Sequence, residues 1–97
     1  MKIVWTAAAE QDRTEILDYI AADNRSAAAR MNRLFHEAAA MLLEHPKMGK
    51  KGVLPGTREL LAHKSYRLVY EIDEKTVRVL MLIHTARQWP PTADAAP

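Results

Sequence analysis

Pro46 divides the chain into two stretches with different hydrophobic periods. Before it, apolar residues recur at the spacing of a helix face; after Gly56 they alternate as strands do. A chain of 97 residues is one domain with one modest core, so the helices and strands must share it.

Upstream, Lys2–Trp5 alternates and is rich in β-formers, which predicts a short first strand. Thr6 follows as an N-cap, with Glu10 placed to favour the positive end of a helix. Ala9, Ile16, Leu17, Tyr19 and Ile20 predict a helix over Ala7–Ala22, ended by Asp23-Asn24. Ser26 is the next predicted cap. Met31, Leu34, Phe35, Ala38 and Leu42 then carry a second helix to about Glu44, where Pro46 blocks it. So short a connection predicts an antiparallel hairpin, and alanine triplets at 7–9, 27–29 and 38–40 favour close packing.

Downstream, Lys47 to Gly56 reads as a loop. Strands are predicted at Thr57–His63, Ser65–Asp73 and Thr76–His84, with Asp73-Glu74-Lys75 as a turn. The last strand is apolar on both faces and belongs inside the sheet, so the first strand should pair with it. The predicted order is β-α-α-β-β-β. It describes an α+β fold, a small antiparallel sheet packed against an N-terminal helical hairpin, as one domain over residues 1–90. The alanine-rich residues 91–97 are expected to form a mobile tail.

Composition removes whole classes of chemistry. With no cysteine there is no disulfide scaffold, thiol nucleophile or thiolate metal site. No apolar run approaches the roughly 18 residues of a membrane span, and no signal peptide is legible, so a cytoplasmic location is expected. His36, His45, His63 and His84 lack the paired spacing of a helical metal site, and no glycine-rich phosphate loop opens a helix. Neither metal nor cofactor is expected. Net charge is +2, split as −2 over residues 1–46 and +4 over residues 47–97. An anionic partner would prefer the second half.

What remains lies in the β half. Alternation places Arg58, Leu60 and Ala62 on one side of their strand, with Glu59 and Leu61 on the other. Arg67 opens the following strand; His84 ends the last and is followed by Arg87 and Trp89. Neighbouring strands bring side chains within about 5 Å, so Arg58, Arg67, His84 and Arg87 are expected to converge near one end of the sheet. Guanidinium forks suit phosphate or carboxylate, and an imidazole moves a proton near neutrality. A structural reading of the same residues stands beside this one. In it, Arg58–Glu59 and Arg67–Glu71 are surface ion pairs worth about 0–1 kcal/mol each, His84 caps a strand and Trp89 covers a sheet edge.

Taken in order, several short motifs resemble the RelE/ParE superfamily of type II toxin–antitoxin toxins. They are the Trp5-Thr6 opening before a helix with Ile16, Tyr19 and Ile20, the Glu44-His45-Pro46 helix end, Gly56-Thr57-Arg58-Glu59-Leu60, Tyr66-Arg67-Leu68-Val69-Tyr70, and Ile83-His84-x-x-Arg87-x-Trp89-Pro90. The likeness is greatest to the ParE-like, plasmid-stabilisation branch. It implies a growth-inhibiting toxin that binds an essential target, DNA gyrase, and is held inactive by a cognate antitoxin in a hetero-oligomer. The residues it implies for target or antitoxin binding are Arg58, Arg67, His84, Arg87 and Trp89, with no catalytic residue. The alternative is the RelE-like branch, a ribosome-dependent mRNA endoribonuclease, in which Glu59, Arg67, His84 and Arg87 would supply base, anion clamp and acid. Three departures count against that branch. A charge of +2 is thin for a protein embedded in ribosomal RNA, the helices carry no lysine, and Trp89 cannot transfer a proton where some nuclease members place a terminal tyrosine. Strand parity also sets Glu59 opposite Arg58 unless a bulge intervenes.

Overall fold

The computed structural model describes residues 1–86. Arg87, Trp89 and the expected tail at 91–97 lie outside the described residues.

Strand β1 (Lys2–Trp5) runs through Thr6 alone into helix α1 (Ala7–Asp23). The cap is the predicted one: Thr6 Oγ1 accepts from the Ala9 amide at 3.1 Å. The second cap is not. Asn24, rather than Ser26, starts helix α2 (Arg25–Glu44), its Oδ1 accepting from the Ala27 amide at 3.0 Å. The same residue ends α1, donating its backbone N–H to Ile20 O. Its extended backbone (φ −155°, ψ 102°) turns the chain in one step, so no loop remains for Ser26 to terminate. Arg13 stitches the hairpin together. Its guanidinium donates to Asn32 Oδ1 at 2.6 and 2.9 Å and lies 4.6 Å from the Trp5 ring centre.

The remaining strands are β2 (Lys50–Lys51), β3 (Arg58–His63), β4 (Tyr66–Asp73) and β5 (Thr76–His84), in the sheet order β1-β5-β4-β3-β2. The two residues of β2 were expected in the loop; they are the only part of it that reaches the sheet among the described residues. The antiparallel expectation holds for the meander, whereas β1 lies parallel to β5, making the sheet mixed. The cause is a count of chain reversals. Trp5 stands beside Val79, and Asp12 then reaches the Leu82 amide, so α1 continues in the direction of β1 along β5. Reversals follow at Asn24 and at the three hairpins from β2 to β5. An even number returns the chain to its starting direction.

As predicted, β5 sits between two strands, with Val77, Val79, Leu82 and Ile83 buried. Phe35 and Leu42 of α2 pack on Tyr66, Leu68 and Tyr70 of β4 to form the core, and Phe35 meets Tyr66 edge to face at 5.6 Å. Opposite Val69 and Tyr70 the register shifts and Leu80 becomes the extra residue; its carbonyl accepts from Thr6 Oγ1 at 3.3 Å.

Candidate functional site

The three described residues of the expected basic cluster occupy three separate environments. Arg58 pairs across the sheet with Tyr70, and both hold the segment leaving α2. Arg58 Nη1 donates to Gly49 O at 2.8 Å and Lys47 O at 3.3 Å. Tyr70 Oη donates to Pro46 O at 2.6 Å and accepts from the Gly49 amide at 3.0 Å. A Cβ on Gly49 would sit 2.7 Å from that hydroxyl, so glycine is the residue that lets the backbone approach. Burial pushes the Tyr70 phenol above its usual value, against the opposing pull of the Gly49 bond and the Arg58 charge.

On the other face of β3, the Glu59 side chain is 3% exposed. Its Oε1 lies 3.4 Å from Arg67 Nε, and its Oε2 accepts from the Val53 amide at 3.1 Å. The expected surface pairs are therefore replaced. Arg67 belongs to Glu59, while Glu71 pairs with Arg78 at 3.0 Å across β4 and β5 and holds that guanidinium in its charged form. The reason is parity: Leu61 stands opposite Arg67, which puts Glu59 on the same face and one diagonal away.

His84 is a third place again. It stands opposite Tyr66 with the rings edge to face at 5.2 Å, and its Nδ1 accepts from the Ala86 amide at 3.0 Å. A neutral imidazole so bonded carries its hydrogen on Nε2. Tyr66 and His84 line a cavity of about 270 Å³ with Asp12, Glu15 and Tyr19. Burial, then the neighbouring Tyr19, raises the Tyr66 phenol above its usual range.

The predicted convergence therefore does not occur among the described residues. Arg58 and His84 share the helix-facing side but are separated by the four residue steps from Tyr70 to Tyr66, about 13 Å along β4. Arg67 points from the opposite side. Glu59 and Arg67 are brought together, as partners of each other. Tyr66 and Tyr70 alternate onto the helix-facing side of β4, and neither was among the expected site residues. Among the described residues, no three His, Asp or Glu side chains gather as metal ligands, and no helix is long and apolar enough to cross a membrane.

Comparison with known proteins adds to this geometry. Residues 3–89 match the family described as the ParE toxin of the type II toxin–antitoxin system, parDE. The chain is 38% identical over 90 residues to the putative toxin Y4kP of Sinorhizobium fredii, covering 92% of this chain and 93% of that protein. It is 34% identical over 86 residues to the toxin RelE2 of Caulobacter vibrioides, covering 89% and 97%. Among solved structures, a chain of the chromosomal ParDE toxin–antitoxin system of P. aeruginosa superposes with a TM-score of 0.75 at 20% identity, over 87% of this chain and 95% of that one. That likeness shows the fold.

Proposed function

The chain belongs to the ParE toxin family of type II toxin–antitoxin systems, and from that premise we propose that it arrests growth by binding DNA gyrase in the cytoplasm rather than by cutting RNA. The observation that carries this reading is the state of Glu59. A general base must reach the proton it removes, and this carboxylate is buried with Arg67 on one oxygen and the Val53 amide on the other. Arg67, the would-be anion clamp, is engaged by the same pair, and His84 faces the other side of the sheet. Base, clamp and acid do not share a substrate-sized space.

In this reading Arg67 on one face of the sheet, His84 on the other, and Arg87 and Trp89 contribute to the surfaces that meet gyrase or the antitoxin, and Arg58 positions the 46–49 segment. A cognate antitoxin neutralises the toxin in a hetero-oligomer. The second reading, a ribosome-dependent endoribonuclease, is favoured by the likeness to the toxin named RelE2. The purified chain should inhibit gyrase supercoiling and leave a translated message uncut in a toeprinting assay. Cuts at the ribosomal A site with intact supercoiling would overturn the proposal in favour of the enzyme.

A further inference from the structure

The end of β5 carries a cavity whose chemistry differs from that of the basic β3 side. Strand β1 pairs with β5 only as far as Val79, and α1 lies beside the residues that follow. Asp12, Glu15, Ile16 and Tyr19 fall at i, i+3, i+4 and i+7, so one face of α1 forms a wall. Tyr66, Leu82 and His84 form the facing wall around a volume of about 270 Å³. Among the described residues no lysine or arginine lines it, so two carboxylates stand uncompensated in a chain whose net charge is +2.

Part of this lining is structural. Asp12 Oδ2 accepts from the Leu82 amide at 3.1 Å, and Glu15 Oε1 accepts from Gln11 Nε2 at 2.8 Å. Each carboxylate keeps its second oxygen without a partner among the described residues. The Tyr66 hydroxyl has no such structural use. The residue is 8% exposed, and a phenol so buried ordinarily finds a hydrogen-bond partner. Tyr70, further along the same strand, has two, the Pro46 carbonyl and the Gly49 amide. Tyr66 Oη has none among the described residues, yet no fully buried polar atom there is left unsatisfied, so this oxygen opens on the cavity.

The lining defines what belongs inside. Ile16 and Leu82 offer an apolar floor to a short alkyl stem, and Tyr19 stands at the rim. A metal ion fits poorly, because no three His, Asp or Glu side chains gather among the described residues. An organic cation satisfies every part. Its N–H groups donate to the spare carboxylate oxygens and to the phenol oxygen, and aromatic rings attract its charge. Burial and the neighbouring Tyr19 keep the Tyr66 phenol protonated, so it offers a lone pair without adding charge.

We propose that the cavity between α1 and the end of β5 binds a guanidinium or alkylammonium group, held by Asp12, Glu15 and the Tyr66 hydroxyl and flanked by Tyr19. Two sources carry this chemistry, a free polyamine-class metabolite and a basic side chain of gyrase.

The test titrates the full chain with agmatine, an aminobutyl guanidine, and follows its resonances by NMR. Saturable shifts at Glu15, Tyr66 and His84 are expected, with a dissociation constant of about 1 mM or lower. Pentanamide, a neutral molecule of similar stem length, should not bind. Glu15→Gln and Tyr66→Phe keep the shape of the cavity and should each weaken agmatine about threefold to tenfold. Glu10→Gln removes the same charge from α1 outside the cavity and should leave binding unchanged. Unsaturable shifts, equal binding of pentanamide, or an equal loss from Glu10→Gln would overturn the proposal. In a supercoiling assay, relief of inhibition by agmatine, beyond its effect on gyrase alone, would assign the site to a basic side chain of gyrase. Undiminished inhibition with agmatine bound would assign it to a free cation. A chain that binds agmatine and leaves gyrase active would overturn the gyrase reading and keep the cation site.

Discussion

Two tyrosines on β4 carry phenols that burial makes harder to ionise, and the consequence is an alkaline limit to stability. In Tyr66 and Tyr70 the folded pKa lies above the ordinary phenol value of 10.0 that serves for the unfolded chain. Their contribution is therefore fully present below pH 10 and lost as pH rises through the folded values, because the unfolded chain releases those protons first. Urea unfolding should give the same midpoint from pH 8 to 9.5 as far as these groups are concerned, and a falling one above pH 10. Tyr66→Phe removes no hydrogen bond among the described residues and should flatten part of that fall. An alkaline slope identical to that of the unaltered chain would show that Tyr66 is not responsible. Tyr70→Phe differs, since it also removes the bonds to Pro46 O and the Gly49 amide, at about 1–2 kcal/mol at any pH below 10.

At the scale of elements, the hairpin hangs on one residue. Asn24 both terminates α1 and caps α2, so Asn24→Ala removes the acceptor of the Ala27 amide and should cost about 1 kcal/mol, whereas Ser26→Ala should cost little. Equal losses from the two variants in thermal unfolding would restore Ser26 as the cap. This contrast shows what the sequence made legible. Helix and strand periods are written in side chains, so α1, α2 and the three long strands stand within a residue or two of their predicted bounds. The choice between Asn24 and Ser26 depends on one backbone torsion, and Lys50–Lys51 becomes a strand only because Glu59 and Arg58 lie opposite. The site was legible to the same depth. Alternation separated Arg58 from Glu59 correctly, but the partner of Arg67 depended on the β3–β4 register, which sets Leu61 rather than Glu59 opposite it.

Across the whole molecule, the uneven charge read from the sequence becomes a difference between surfaces. Helix α1 carries Glu10, Asp12, Glu15, Asp18 and Asp23 against Arg13, while the β3 side gathers Lys47, Lys50, Lys51 and Lys64. A field divided this way orients an incoming acidic partner before contact. Its range in 0.15 M salt is about 8 Å, so steering acts on the encounter and is screened readily. The association rate with the antitoxin should therefore fall steeply between 50 and 500 mM NaCl while the dissociation rate changes little, because contacts inside a formed interface are short-ranged. Stopped-flow measurements on Lys50→Glu/Lys51→Glu should show a slower association at low salt and a shallower salt dependence. If the unaltered chain associates at a rate indifferent to salt, the lysines do not steer.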